Sequence, residues 1–418
     1  MTTACIPSTD SAIDWRRVAS EFGFQEGLTY LNTGSEGSMP VSLQGVLSEA
    51  MARWASSPSQ SFFDNPRLDS KQTANRIRMA AFVGADPADI VITDNTTMGL
   101  GMVLLGLPFK AGDEIVTTSQ DHFSMFSPLS ILAKRIGVKI VEVALPDPPD
   151  STLEIVELFA AAITARTRAF CFSHITYGIG LRMPVASLCA LARTHNILTL
   201  IDGAHALGML QLQLSDIGCD FYAASGHKWM NGPPGTGILY IRHAQANRWG
   251  LEPIISERAM DIGPGLSIAD ALQARANMNG PAFYTLSRTA DFIETIGKDA
   301  IERRILALSG LVEARARDLW GEGCLFSPPG DAEGGALSSG IKAFVPSRNY
   351  ALAYDSAVMQ DIATTLVKRH GLWVLSTAIL APAGAPGAQL NTIRISTSLY
   401  NFPDEVNRLF SVLQEVVR

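Results

Sequence analysis

Short apolar segments alternate with amphipathic segments between about residues 88 and 242 of the chain. The segments DIVITD, DEIVTTS and ILTLID carry apolar runs bounded by polar residues, which is the pattern of strands buried on both faces of a parallel sheet. Segments such as FSPLSILAKRIG and ASLCALARTHN, whose apolar residues recur at helical spacing, separate these strands. The alternation predicts an α/β fold with a mostly parallel central sheet covered by helices.

The pattern changes after about residue 280. The longer amphipathic segments FYTLSRTADFIETIG and AIERRILALSGLVEARARDLW come first, and strand and helix patterns then continue to DEVNRLFSVLQEVV. A segment rich in Gly and Pro, 327–340, separates the two groups. We therefore expect a smaller α+β C-terminal domain after the large one.

The composition is that of a large folded protein. The 418 residues include 33 Lys and Arg against 40 Asp and Glu, which gives a net charge of −7, and 47% of the residues are hydrophobic. The acidic balance argues against nucleic acid or an anionic membrane as a partner. We expect a cytoplasmic protein, because no apolar stretch is long enough to span a bilayer and the first residues do not resemble a signal peptide. Five scattered cysteines without a CxxC pair predict buried, reduced thiols, and no metal site is predicted.

Two charged residues follow predicted strands that are successive in the sheet. Asp202 ends the strand ILTLID, and Lys228 follows the strand DFYAAS, just before the turn WMNGPPGTG. Open α/β sheets bind ligands at the carboxyl ends of their strands. A salt bridge would explain either residue alone. Together they match the needs of pyridoxal phosphate (PLP), which takes a lysine for its Schiff base and a carboxylate for its ring nitrogen.

The region around both residues, from FCFSHITYGIGLRMP to SGHKWMNGPPGTGILYI, resembles the core of class V aminotransferases, PLP-dependent enzymes of fold type I. Within that family it most resembles the isopenicillin N epimerase-like enzymes, as do YLNTGSEGSMP, GADPADIVITDNTTMGL and IRISTSLYNFPDEVNRL. The resemblance implies an N-terminal arm over 1–31 associated with the small domain, a large PLP-binding domain over 32–285 and a small domain over 286–418. It also implies a homodimer with its site at the subunit interface.

The resemblance further implies roles for single residues around the cofactor ring. Lys228 would form the Schiff base and carry the proton at Cα, while Asp202 would pair with the ring nitrogen. His122 would stack on the ring. His205 and Thr176 would contact the ring hydroxyl, and for Thr176 a simple turn residue is the alternative.

A second group of residues is implied to bind the charged ends of the cofactor and substrate. The cofactor phosphate would be bound by Asn95, Thr96, Thr97, Ser225 and His227. The first three join a strand to a helix N-terminus, where a dianion is stabilised. Arg394, in TIRISTSLYN, would bind the substrate carboxylate, since a guanidinium can donate two parallel hydrogen bonds.

Two segments depart from the family pattern. Residues 276–281, ANMNGP, replace a segment that sends a threonine to the phosphate of the neighbouring subunit, so Asn277 or Asn279 could supply that contact instead. The stretch STAILAPAGAPGAQLNT lacks the nucleophilic cysteine that cysteine desulfurases carry before the equivalent of Arg394. Desulfuration through an enzyme persulfide is therefore not expected.

The predicted reaction begins when Lys228 removes the Cα proton of an amino-acid substrate. Reprotonation at Cα would make an epimerase or racemase, whereas reprotonation at the cofactor would make an aminotransferase. A C–S lyase and a Mannich-type cyclase remain alternatives, and so does a non-catalytic ligand-binding module. Residues at the entrance to the site are expected from the N-terminal arm, from segments 57–67 and 177–182 and from the loop 380–391.

Overall fold

The computed structural model describes residues 13–58, 73–146, 148–261, 267–275, 278–330, 336–348, 350–380 and 389–417. The strands are β1 Thr29–Tyr30, β2 Ile90–Thr93, β3 Glu114–Thr118, β4 Lys139–Val143, β5 Thr167–Ser173, β6 Leu198–Asp202, β7 Phe221–Ser225, β8 Gly237–Ile241, β9 Ile341–Phe344, β10 Leu372–Trp373, β11 Leu375–Leu380 and β12 Gln389–Ser396. The helices are α1 Trp15–Ser20, α2 Val41–Ser56, α3 Thr73–Val83, α4 Thr96–Gly106, α5 Phe123–Ile136, α6 Thr152–Ala161, α7 Val185–Thr194, α8 Leu214–Ile217, α9 His243–Trp249, α10 Ile268–Gln273, α11 Gly280–Ile296, α12 Lys298–Trp320, α13 Ser356–His370 and α14 Pro403–Val416. Within these ranges no helix has both the length and the apolar composition that crossing a membrane requires.

In the described part of the chain, β2 to β8 form one sheet of seven strands in the order β2-β8-β7-β6-β5-β3-β4. Neighbouring strands are parallel except for β8, which runs antiparallel to β2 and β7. Phe172 and Tyr222 face one buried core, and Cys171 and Phe221 face the other. The sheet is therefore covered on both sides, and the predicted α/β fold with a mostly parallel central sheet is confirmed.

A second, antiparallel sheet lies in the C-terminal part, where β11, β12 and β9 are neighbours in that order among the described residues. It shares a core with α12, α13 and α14 through residues such as Val312, Phe344 and Phe410. The N-terminal β1 pairs in parallel with β10. The domain limits stay predictions; the limit between 285 and 286 falls inside α11.

The parallel strands end at one edge of the large sheet, and local sequence fixes how the chain leaves them. Asn95 begins α4 by accepting the Met98 N–H on its side-chain oxygen at 2.9 Å. After β6 the chain needs Gly203, because a Cβ there would lie 2.0 Å from the ring of Tyr222. These two turns leave polar side chains at the carboxyl ends of β2 and β6.

Candidate active site

Asp202 is the last residue of β6, in register with Ser173 of β5 and Ala223 of β7. Its buried carboxylate accepts the Ala204 N–H at 2.9 Å on Oδ1 and, more weakly, the Ser124 hydroxyl at 3.4 Å on Oδ2. Burial raises the pKa of Asp202, and these two donors and Lys228 oppose that shift. A carboxylate in this position favours a positively charged nitrogen next to it.

Lys228 lies three residues beyond the end of β7. Burial lowers the pKa of its amine to about 8; Asp202 raises this pKa and Arg394 lowers it further. The segment that contains Gly37 packs directly against it, since the Gly37 N–H donates to the His227 carbonyl at 2.7 Å and a Cβ on Gly37 would lie 1.9 Å from the Lys228 carbonyl oxygen. An amine with a lowered pKa is available as a nucleophile and a base near neutral pH.

His122 caps the N-terminus of α5, where its Nδ1 accepts the Ser124 N–H at 3.1 Å. Burial lowers the pKa of His122 to about 4, with help from Lys228 and Arg394. The ring is therefore neutral, with its proton on Nε2. The Ser124 hydroxyl lies 2.9 Å from His122 Nδ1 and 3.4 Å from Asp202 Oδ2, so it joins two of the predicted cofactor-binding residues.

His205 is buried in the loop after β6, and its Nδ1 accepts the indole N–H of Trp229 at 3.2 Å. Burial lowers the pKa of His205 well below its ordinary value, and Lys228, Arg394 and His122 lower it further. The electrostatic interactions among these residues place His205, His122, Lys228 and Arg394 in one cluster.

Four of the five predicted phosphate-binding residues meet where α4 begins. The Thr96 N–H donates to the Ser225 hydroxyl at 3.0 Å, and the two hydroxyl oxygens are 2.7 Å apart. Thr97 is exposed at the first turn of α4. His227 Nδ1 is buried and has no hydrogen-bond partner within the described ranges. A helix N-terminus, two hydroxyls and an orphaned ring nitrogen fit a phosphate group.

Arg394, on β12, has a buried guanidinium with neutral partners. Its Nη1 donates to the Tyr177 carbonyl at 2.9 Å, and its Nη2 donates to Asn32 Oδ1 at 3.2 Å and to the Ser35 hydroxyl at 2.9 Å. Its Nε is buried without a partner, and none of the described residues places a carboxylate beside it. Burial lowers the pKa of Arg394 to about 10. A buried guanidinium without a counter-ion favours an anionic ligand.

Two further predicted residues, Thr176 and Asn279, make local contacts. Thr176 is buried and its hydroxyl accepts the Leu181 N–H at 3.1 Å, so it takes part in a turn and keeps its own O–H as a donor. Asn279 caps α11 by accepting the Ala282 N–H at 3.2 Å. Asn277, most of segment 57–67 and most of 380–391 lie outside the described residues.

Several residues of the cluster were not predicted from the sequence. They are Asn32, Ser35, Asp121, Ser124 and Trp229. Asp121 could have been predicted from the sequence, because an acidic residue directly before His122, just after a predicted buried strand, must be hydrogen-bonded by several donors if it is buried. Trp229 follows Lys228 and resembled an ordinary core residue.

Comparisons with known proteins bear on the family and the fold of the chain. Residues 47–409 match the model of the family "Aminotransferase class-V". Isopenicillin N epimerase of Streptomyces clavuligerus is 28% identical over 96% of this chain and 98% of its own length, and a cysteine desulfurase of Salmonella dublin is 28% identical over 82% of both chains. A structure of C-DES with glycine covalently linked to its PLP cofactor has a TM-score of 0.79 at 22% identity and covers 94% of this chain and 98% of its own. A second structure, of this cystine C–S lyase with cysteine persulfide, has a TM-score of 0.78 at 22% identity and covers 93% of this chain and 97% of its own.

The chain therefore belongs to the class-V aminotransferase family of PLP-dependent enzymes. The predicted family and cofactor are confirmed, as is the likeness to isopenicillin N epimerase. The likeness to C-DES supports the fold alone at this level of identity.

Proposed function

We propose that this protein removes the Cα proton of an amino-acid substrate and acts as an epimerase or racemase, or as an aminotransferase. The observation that carries the proposal is the buried guanidinium of Arg394, which has only neutral partners among the described residues and interacts electrostatically with Lys228. A substrate carboxylate would supply the missing charge and bring Cα within reach of the lysine amine.

The chain's residues fit PLP, as the orphaned His227 nitrogen and the free charge of Arg394 indicate. Lys228 would hold the aldehyde carbon of the cofactor, Asp202 its ring nitrogen and His122 one ring face. His205 and Thr176 would bind the ring hydroxyl, and the phosphate would be bound by Asn95, Thr96, Thr97, Ser225 and His227. When bound, PLP supplies an electron sink that makes the Cα–H bond acidic.

The residues divide the remaining work between them. Arg394 binds the substrate carboxylate and holds Cα in place. Lys228, with its pKa lowered to about 8, takes the Cα proton near neutral pH. Asp202 would pair with the ring nitrogen of the cofactor: burial raises the pKa of its carboxyl, while the Ala204 N–H and Lys228 favour its charged form. His122 is neutral and adds no positive charge beside the amine.

The likeness to isopenicillin N epimerase supports epimerisation, and the family match supports aminotransfer. A C–S lyase is the second candidate, supported by the likeness to cysteine desulfurases. The described cysteines, Cys171, Cys189, Cys219 and Cys324, are all buried, and burial raises the pKa of each thiol. This opposes a route through an enzyme persulfide. A Mannich-type cyclase has no observation in its favour, and membership of an enzyme family argues against a non-catalytic binding module.

The same proposal includes a homodimer with its site at the subunit interface. It also includes the division of the chain into an N-terminal arm over 1–31, a large PLP-binding domain over 32–285 and a small domain over 286–418. Asn279 is exposed at the start of α11, and within the described residues only its side-chain oxygen makes a hydrogen bond, which leaves its amide nitrogen as a donor. In this proposal, Asn279 or Asn277 would supply the contact to the phosphate bound by the partner subunit.

Incubation of the PLP-loaded enzyme with single amino acids in deuterated water tests the proposal. Deuterium at Cα without keto acid would support epimerisation, stoichiometric keto acid would support aminotransfer, and release of sulfide from cysteine or cystine would support the lyase. Lys228→Ala is the control and should show none of these products. Absence of Cα exchange from every amino acid, in an enzyme shown to contain bound PLP, would overturn the proposal.

A further inference from the structure

Trp229 and His205 form a buried pair beside Lys228. Trp229 follows Lys228 in the chain, is fully buried, and donates its indole N–H to His205 Nδ1 at 3.2 Å. An indole nitrogen can only donate, so the Nδ1 that receives this bond must carry a lone pair. A neutral imidazole with its lone pair on Nδ1 has its proton on Nε2.

We propose that Trp229 is a positioning residue that fixes His205 in the Nε2–H tautomer, so that His205 offers a hydrogen-bond donor to an oxygen atom of the ligand bound at Lys228. The identity of that ligand, PLP with its ring hydroxyl, rests on the proposed function. The tautomer itself does not, because it follows from the contact between two side chains of this protein.

Both partners of this hydrogen bond are held in place by their surroundings. A Cβ on Gly340 would lie 2.9 Å from Cη2 of Trp229, so the chain before β9 packs closely on the ring. At its other end, the loop that carries His205 is tied down by the N–H groups of Ala206 and Leu207, which donate to the Gly203 carbonyl at 2.9 and 3.3 Å. Neither partner can turn away without opening the packing.

The second ring nitrogen of His205 is left for a ligand. Within the described part of the chain, Nε2 makes no hydrogen bond, whereas Nδ1 is occupied by Trp229. The charged and titratable groups that act on the ring are Lys228, Arg394 and His122, and all three disfavour a second proton on it. The ring therefore stays neutral and presents one donor. A donor stabilises the ionised form of a hydroxyl group that binds to it, whereas the opposite tautomer would present a lone pair.

Histidine NMR of the protein without cofactor tests the tautomer directly. With ¹⁵N-labelled histidine, wild-type His205 is expected to show an unprotonated Nδ1 and a protonated Nε2. In Trp229→Phe, which removes the donor and keeps an aromatic ring, it should show a mixture of the two tautomers. Trp249→Phe is the matched control, because the buried Trp249 indole nitrogen has no partner among the described residues and the variant should leave the His205 signals unchanged.

Absorbance of the PLP-loaded enzyme gives a second measurement. In Trp229→Phe, the pH at which the cofactor band changes should move upward by about 0.5–1 unit, the equivalent of one neutral hydrogen bond. In Trp249→Phe it should not move. A merely structural role for Trp229 would lower thermal stability in Trp229→Phe without moving this midpoint.

An Nδ1–H tautomer in the wild-type protein, or an unchanged tautomer in Trp229→Phe, would overturn the proposal. If Trp229→Phe does not fold, the wild-type spectrum still decides, because an Nδ1–H ring cannot accept the indole hydrogen. Failure of the proposed function is a separate result: the protein would bind no PLP while the tautomer experiment still came out as expected.

Discussion

The buried carboxylate of Asp121 accepts two hydrogen bonds from Ser173, one from its backbone N–H at 2.7 Å and one from its hydroxyl at 2.6 Å. Its other oxygen accepts three more from Thr117 and Thr118. The pairing of β3 with β5 stops before this point, so Asp121 bridges the gap between the ends of the two strands. It also fixes the position from which His122 enters the site.

Replacing Asp121 with Ala should lower the free energy of unfolding by about 3 kcal/mol or more, because each buried donor left unpaired costs about 1–3 kcal/mol. Urea unfolding followed by circular dichroism measures the loss. Asp318→Ala, at an exposed position of α12, is the control and should change stability by no more than about 0.5 kcal/mol. A loss below about 1 kcal/mol in Asp121→Ala would mean that water replaces the carboxylate.

Ser225→Ala should weaken PLP binding about tenfold, since it removes the acceptor of the Thr96 N–H and a hydroxyl from the proposed phosphate site. Titration of the protein without cofactor, followed by absorbance, gives the dissociation constant. Pyridoxal, which lacks the phosphate, is the matched ligand, and its affinity should change less than about twofold. Equal losses for both ligands would place Ser225 outside the phosphate site.

The fold was predictable because its signals are local. Apolar runs and helical spacing identify strands and helices within short windows, and β6 and β7 lie where ILTLID and DFYAAS predicted them. Asp202 and Lys228 followed from one general rule, that ligands bind at strand carboxyl ends.

The rest of the site depends on contacts that no short window contains. Asn32 meets Arg394 because the N-terminal segment pairs in parallel with the end of β12. Tyr177 binds Arg394 through its backbone carbonyl, which leaves no side-chain signature. In the sequence Trp229 resembles a core residue. Its proposed positioning role depends on one hydrogen bond, from its indole nitrogen to His205, which the sequence does not reveal.

Arg394→Gln should lower kcat/KM for the amino-acid substrate about 30-fold or more, because loss of a buried partner for a charged group costs about 2–5 kcal/mol. The same substitution should change kcat/KM for the corresponding amino-acid amide less than about threefold, since the amide has no negative charge to bind. Steady-state kinetics with both compounds tests this, after a melting curve has shown that the variant is folded. Equal losses for acid and amide would mean that Arg394 acts on the structure rather than on the carboxylate.

The pKa of Lys228 should move in opposite directions in two variants. Asp202 raises this pKa and Arg394 lowers it, so Asp202→Asn should bring it below about 8, whereas Arg394→Gln should bring it above that value.

Only the unprotonated amine reacts with an aldehyde, so in the wild-type protein without cofactor the rate of reductive methylation at Lys228 should rise with pH around a midpoint near 8. Peptide mass spectrometry over a pH series gives the midpoint, and the exposed Lys368 in the same samples serves as an internal control whose profile should be the same in all three proteins. Because the two substitutions remove charges of opposite sign, a general loosening of the site would raise both midpoints by exposing the amine to water. Midpoints that move apart, lower without Asp202 and higher without Arg394, would therefore establish that these two charges set the basicity of Lys228.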